Sequence, residues 1–370
     1  MAREKLPIHA VILAGGRGTR FWPRSRTKTP KQLLHIVGRG TMLEQTVARI
    51  RPITHADRIW TVTNLEQQVS LRKQLPQASQ KRVLVEPVGR NTAAAIALAA
   101  LHIQKAAEGD VLMAVLPADH YIEDVAGFRK IAALALDVAR EPGRMVVLGI
   151  PPTRPETGFG YIEKMEATIG ASGVPVYPVR RFTEKPALET AKAYLASGNY
   201  QWNAGMFFWR VSTFWNALRE FLPATHSQLA KLAATLGKRR YDAELRKVYG
   251  KLENISVDYA ILERATRQTG GPQVFVVPAN VGWSDLGSWS AVYELLAKEP
   301  GQNIFEDAGH AMEASGNYVS ANGKFVAAIG VKDLVIVDSA DALLVCPRDR
   351  AQDIGKLVKW LEEKKKKELL

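Results

Sequence analysis

Between residues 9 and 120 the chain carries four short apolar runs, HAVILAGG, RIWTVTN, KRVLVEP and VLMAVLPADH. They are rich in branched residues and end in turn or polar residues. NTAAAIALAALHIQKAAE and GFRKIAALALDVAR interleave with and follow them, with alanine and leucine on buried faces of helices. Alternating strands and helices build a sheet whose strands run parallel. The first part of the chain therefore reads as an α/β fold, a Rossmann-like mixed, mainly parallel sheet. Such sheets bind ligands beyond the carboxyl ends of their strands. The polar residues worth following sit there, after AVILAGG, after VLVEP and after VLMAVLP.

From about Gly143 the pattern changes. MVVLGI, GYIEKME, VYPVRRFTEKP, WNAGMFFWR and QVFVVPAN read as strands, with helices around Leu188–Ser197 and Val211–Leu222. After Pro300, FVAAIG, LVIVDS and ALLVCP recur at near-regular spacing, parted by Gly and Asp. This predicts two domains, a large one over 1–290 and a small β-rich one over 291–370, closed by the amphipathic KLVKWLEEKKKKELL. The lysines of that ending read as a solvated helix end.

Bulk properties narrow the partners. A net charge of +13 fits an anionic ligand: nucleotide, sugar phosphate, nucleic acid or membrane surface. The single cysteine, Cys346, allows no disulfide within the chain and fits a reducing compartment. The opening MAREKLPIHAVILAGG lacks a signal-peptide layout, and no apolar run reaches the roughly eighteen residues of a membrane span. The expectation is a cytoplasmic protein with no membrane partner.

The glycine-rich stretch LAGGRGTR matches neither GxxxxGK[ST] nor GxGxxG. It shares their physics. Gly15, Gly16 and Gly18 let the backbone turn sharply and point N–H groups at an anion. Arg17 and Arg20 add charge, and Lys28 and Lys31 return to the same place if Phe21–Thr29 forms an excursion stiffened by Pro23 and Pro30. A tight turn followed by a solvated basic loop is the plainer alternative.

The succession strand, LAGGRGTR, excursion, PKQLL resembles the signature of the sugar-phosphate nucleotidylyltransferases, or nucleotide-sugar pyrophosphorylases. FWPRSRTKTPKQLL and EPVGRNTAAAIALAA are similar to the branch of that family that works with GTP and mannose 1-phosphate. The resemblance covers about Ala10 to Trp289. It implies GMP transfer to mannose 1-phosphate, with GDP-mannose and pyrophosphate as products. It implies phosphate contacts by Arg17 and Lys31, and nucleotide contacts by Leu13, Gly15, Gly16, Gly18, Thr19, Arg20 and Asp119. It puts Glu86, Gly89, Asn91 and Thr92 beside guanine and ribose. It puts Gly160, Glu184, Lys185, Asn203, Gly205 and Asp258 around the hexose phosphate, with Lys185 on the attacking phosphate. Asp119 and Asp285 would hold Mg²⁺. A short tail like a left-handed β-helix would suit the family. Such a tail often makes oligomer contacts, which leaves a homodimer open. The chain is too short for the isomerase domain fused to some relatives.

The chemistry asks for such a set. A phosphate monoester, with a second pKa near 6, is already largely dianionic at neutral pH and needs no general base. What it needs is in-line positioning of two polyanions and cancellation of their repulsion. Arg, Lys and a hard divalent cation supply that, and the sequence has neither GxSxG nor HExxH. Bland readings stand beside each residue. Asp119 or Asp285 could cap a helix or hold a turn, Asn91 or Thr92 could cap the alanine-rich helix, and Glu184–Lys185 could be a surface pair. Rivals at the level of function are a same-fold enzyme for glucose 1-phosphate or another nucleotide, a noncatalytic regulatory homologue, and a nucleic-acid binder. The last has no zinc finger, RNP motif or helix-turn-helix behind it, and polyphosphate substrates already account for the charge.

Overall fold

The structure is a computed structural model that describes residues 6–166, 174–268 and 273–370. Residues 1–5, part of the stretch on which the expectation of no leader rests, lie outside the described residues. The large sheet contains nine strands: β1 (Ile8–Leu13), β2 (Ile59–Asn64), β3 (Val83–Glu86), β4 (Leu112–Pro117), β5 (Arg144–Ile150), β6 (Tyr161–Lys164), β7 (Tyr177–Thr183), β8 (Tyr200–Arg210) and β9 (Gln273–Pro278). Their order is β3-β2-β1-β4-β8-β5-β9-β7-β6, and β6 pairs back onto the first half of β8. β1, β2, β3 and β4 are mutually parallel, as are β5 and β9. The long β8 runs antiparallel between β4 and β5.

Burial on both faces explains the unbroken apolar runs. Val11, Val62, Met113 and Val115 face a core that includes the helix Asn91–Ala106. Ala10, Ile12, Leu112 and Ala114 point the other way, onto Leu43, Phe128 and Leu136. The small residues Ala93–Ala95, Ala97, Ala99 and Ala100 are buried, so this helix presses closely on the sheet. The expected helices form at Leu188–Ser197 and Val211–Phe221.

The C-terminal part winds short strands into a β-helix-like stack. Ile304–Phe305, Tyr318–Ser320 and Leu334–Asp338 pair in parallel, as do Gly309–Met312 and Val326–Ile329. Partners such as Tyr318 and Val335, or Gly309 and Val326, lie one coil apart. Leu343–Pro347 closes the stack antiparallel, and the helix Ile354–Glu363 buries Ile354, Val358 and Leu361. Burying each of these side chains contributes about 1.5–3 kcal/mol. Their core also includes Phe21, Trp22, Ile36 and Met42 from the excursion after β1. Trp289 joins the two parts: its ring lies 4.9 Å from Phe21, and its indole N–H donates to the Trp22 carbonyl. Among the described residues no helix is long and apolar enough to cross a membrane.

Candidate active site

The parallel strands deliver their carboxyl ends to one rim, and a cavity of about 530 Å³ opens there. Leu13, Gly15 and Gly16 enter from β1, and Glu86 and Gly89 from β3. Asn91 and Thr92 enter from the first turn of the following helix. The opposite wall carries Gly160, Glu184, Lys185, Asn203, Gly205 and Asp258, with Asp285 at one end. Fourteen of the residues singled out in the sequence thus line one cavity.

The glycine loop is held from behind by groups the sequence reading missed. The Gln32 amide donates to the carbonyls of Ala14 and Gly16, both at 3.0 Å. Gln67 donates to Gly16 at 3.1 Å, and Asn64 to Gly15 at 3.3 Å. With those carbonyls tied back, Gly16 faces open space. Gly18 turns the chain away at φ 62°, and a Cβ there would collide with the Lys31 side chain. The signal for Gln32 was in hand, because it stands next to Lys31 in PKQLL. Gln67 and Asn64 follow an ordinary strand and carried none.

The cations after the glycines separate. Lys31 is buried and donates to Asp119 Oδ2 at 2.9 Å and to the main-chain oxygen of Asp285 at 2.6 Å. Burial pushes the Asp119 carboxyl up, but Lys31 and His120 more than offset this and hold it below the ordinary value. Arg20 donates to Gln352 Oε1 at 2.6 Å and lines a neighbouring chamber that shares Asp285 and Lys185 with the main cavity. Arg17 points elsewhere. Its guanidinium pairs with Glu362 of the last long helix and reaches Thr27. Thr19 lies beside Gly355 of the same helix. Arg17, Gly18, Thr19, Arg20, Lys31 and Asp119 are therefore not among the residues lining the main cavity. Lys28 is exposed.

The other wall is acidic and tightly linked. Asn203 donates to Asp258 Oδ1 at 2.8 Å and accepts from the Gly205 N–H at 3.0 Å. Burial raises the Asp258 carboxyl. Burial, then repulsion from Asp258, pushes Glu184 up to about 7 against the pull of Lys185. Glu184 Oε2 is buried without a hydrogen-bond partner, and a Cβ on Gly160 would collide with it. Lys185 adopts φ 48° and its ammonium lies 3.3 Å from Glu184 Oε1. On the wall at the ends of the parallel strands, burial raises Glu86 to about 6, although the Tyr249 hydroxyl donates to it at 2.7 Å. Thr92 Oγ1 accepts from the Val257 N–H, and Asn91, at φ 62°, accepts from the N–H of Thr92. His120 accepts from the Trp283 indole N–H at 3.2 Å, and burial lowers its pKa. Trp283 in turn lies edge-on to Phe159 over the cavity.

The family model described as nucleotidyl transferase matches residues 9–301, and one described as MannoseP isomerase/GMP-like beta-helix domain matches residues 311–361. Mannose-1-phosphate guanylyltransferase of Escherichia coli strain K12 is 38% identical over 98% of this chain and 74% of its own length. Xanthan biosynthesis protein XanB of Xanthomonas campestris pv. campestris strain B100 is 39% identical over 95% and 73%. A crystal structure described as mannose-1-phosphate geranyltransferase from Thermus thermophilus superposes with a TM-score of 0.84 at 34% identity, covering 96% of this chain and all of that one. The chain belongs to the nucleotidyl transferase family of enzymes. Within it, the near full-length matches make it a member of the mannose-1-phosphate guanylyltransferases.

Enzymes of this family generally use a divalent metal. Among the described residues no group of three or more His, Cys, Asp or Glu side chains could enclose one. The residue types still fit a hard cation. Lys31 meets the carboxylate of Asp119 and the main-chain oxygen of Asp285, which brings the two aspartates to one place, and Mg²⁺ commonly takes one or two carboxylates and completes its shell with phosphate oxygens and water.

Proposed function

We propose that this cleft transfers GMP from GTP to mannose 1-phosphate, giving GDP-mannose and pyrophosphate. A phosphate oxygen of the sugar attacks the α-phosphorus in line. The bond from that phosphorus to the bridging oxygen breaks, and its electron pair leaves with pyrophosphate. The observation that carries the reading is the meeting of two chemically opposite walls on one cavity. Glycine N–H groups backed by buried amides form one wall, and carboxylates backed by an asparagine form the other.

The chain's own groups do the positioning. The loop at Gly15 and Gly16 receives the phosphates, and Glu86, Gly89, Asn91 and Thr92 receive guanosine. Glu184 and Asp258 accept hexose hydroxyls, and Lys185 holds the attacking phosphate as a point charge. Lys31, fixed between Asp119 and Asp285, stabilises charge at the α-phosphorus. Asp119 and Asp285 would hold Mg²⁺, which when bound neutralises phosphate charge. The half-buried thiol of Cys346 and these phosphorylated substrates fit the cytoplasm.

The test is pyrophosphate release with Mg²⁺, crossing GTP, ATP, UTP, CTP and dTTP with mannose 1-phosphate and glucose 1-phosphate. Release dominated by GTP with mannose 1-phosphate is the expected result. Release dominated by another pair discards the specificity, and none from any pair discards the reaction.

A further inference from the structure

Most cations of the excursion after β1 are met by carboxylates. Arg17 pairs with Glu362, Arg24 with Glu306 at 3.2 Å, Arg26 with Asp341 at 2.6 Å, and Lys31 with Asp119. Arg20 differs. Its partner is the neutral amide oxygen of Gln352, and no carboxylate among the described residues lies within ion-pair distance of it. An amide carbonyl fixes the direction of a guanidinium without cancelling its charge, and four of its five donors stay free.

Arg20 and Gln352 border a chamber of about 590 Å³ beside the main cavity. The two spaces share Gly158, Phe159, Lys185 and Asp285. A Cβ built on Gly287 would stand 3.5 Å from Arg20 Nη1, the nitrogen that donates to Gln352, and 3.0 Å from Asp285 Oδ2, so the guanidinium lies near the carboxylate at the cavity's end. The C-terminal turn Arg348–Asp353, which carries Gln352, forms the far wall.

We infer that Gln352, from the C-terminal part of the chain, is a positioning residue: it aims Arg20 along this chamber without neutralising it, so that the nucleotide contact implied for Arg20 falls on the pyrophosphoryl end of the triphosphate. The inference rests on the reaction proposed above. As the α-phosphorus to oxygen bond breaks, negative charge accumulates on the departing pyrophosphate, and a guanidinium held by an amide rather than by an ion pair stabilises that charge. The Arg20–Gln352 contact is exposed at both ends, so it contributes little to folding, and its loss is a functional event.

Calorimetric titration of the full chain with pyrophosphate tests this directly. Gln352→Glu, which places a carboxylate on Arg20, should weaken pyrophosphate binding about tenfold. Gln352→Met, which removes the acceptor without adding charge, should weaken it a few-fold. Mannose 1-phosphate affinity and the melting temperature should stay as in the unaltered protein. Pyrophosphate binding that ignores Gln352→Glu, an equal loss of both ligands, or no pyrophosphate binding by the unaltered protein overturns the inference. Turnover by the unaltered protein separates the two claims. Normal turnover with indifferent pyrophosphate binding sinks the role of Gln352 alone. Weakened pyrophosphate binding in a protein that turns over no substrate pair supports the chamber and sinks the reaction.

Discussion

The two walls of the cleft, to which we assigned the nucleotide and the sugar, stand in opposite electrostatic states. On the proposed nucleotide side two of the cations already have carboxylate partners. Lys31 is bound to Asp119, and Arg17 is bound to Glu362. On the proposed sugar side two carboxylates are both pushed up by burial, and among the described residues Glu184 Oε2 has no hydrogen-bond partner. A buried acceptor without a donor costs about 1–3 kcal/mol. A sugar hydroxyl that supplies the donor recovers that energy. The difference teaches where selectivity and rate arise. Unsatisfied acceptors select a ligand rich in hydroxyls. Pre-formed ion pairs hold cations still until a polyphosphate displaces or joins their partners.

The sharpest way to break this comparison is Lys31→Ala. If the nucleotide side supplies transition-state charge, kcat should fall about 10²–10³-fold with KM for mannose 1-phosphate nearly unchanged. The melting temperature should move little, because Asp119 keeps access to water through a side chain that is 35% exposed. Asp258→Ala probes the other wall. KM for mannose 1-phosphate should rise about tenfold or more, because Asn203 loses its acceptor along with the sugar. KM for GTP should stay within about twofold, since among the described residues Asp258 and Asn203 bond to each other and to Gly205 rather than to the glycine loop. Steady-state kinetics with each substrate varied in turn reads both variants.

The pH dependence separates the walls further. Glu184 sits near 7, so its carboxylate is lost as pH falls through 7. KM for mannose 1-phosphate should then climb between pH 8 and pH 6. Glu184→Gln should flatten that climb and leave only the limb set by the substrate's own phosphate, whose second pKa is near 6. An unflattened profile would remove Glu184 from the sugar contacts.

Much of this was legible in the sequence because it is local. HAVILAGG and VLMAVLPADH are unbroken apolar runs because both faces of β1 and β4 are covered, and that pattern needs no tertiary knowledge. Glycines at a strand's carboxyl end similarly announce a sharply turned loop, and Gly15 and Gly16 line the cavity. What stayed hidden depends on long-range packing. Arg17 and Arg20 stand three positions apart in one basic stretch and read as equivalent. The last turns of the chain separate them, giving Arg17 a carboxylate and Arg20 an amide. Nothing local in the sequence says which side chain more than three hundred residues away will meet which arginine. The boundary near residue 290 is likewise a local reading. The third core crosses it, uniting Phe21 and Trp22 with Trp289, Tyr318 and Val358.

The smallest expected effect falls on the one acid of the nucleotide wall. Glu86 resembles the sugar-side carboxylates in being pushed up, to about 6, by burial. It differs from Glu184 in accepting from a neutral buried hydroxyl, that of Tyr249, which pulls the other way. Tyr249→Phe removes that donor and leaves Glu86 Oε1 short of a partner. Stability should fall by about 1 kcal/mol, read from urea unfolding at pH 7.5. The Glu86 pKa should climb above 6, so the protonated form becomes common at a higher pH than before. KM for GTP should therefore rise a few-fold, more at pH 6.5 than at pH 8, while KM for mannose 1-phosphate holds. The reverse pattern, with the sugar constant moving and the GTP constant still, would mean that the two walls are one coupled acidic network. The contrast between satisfied and unsatisfied sides would then fail.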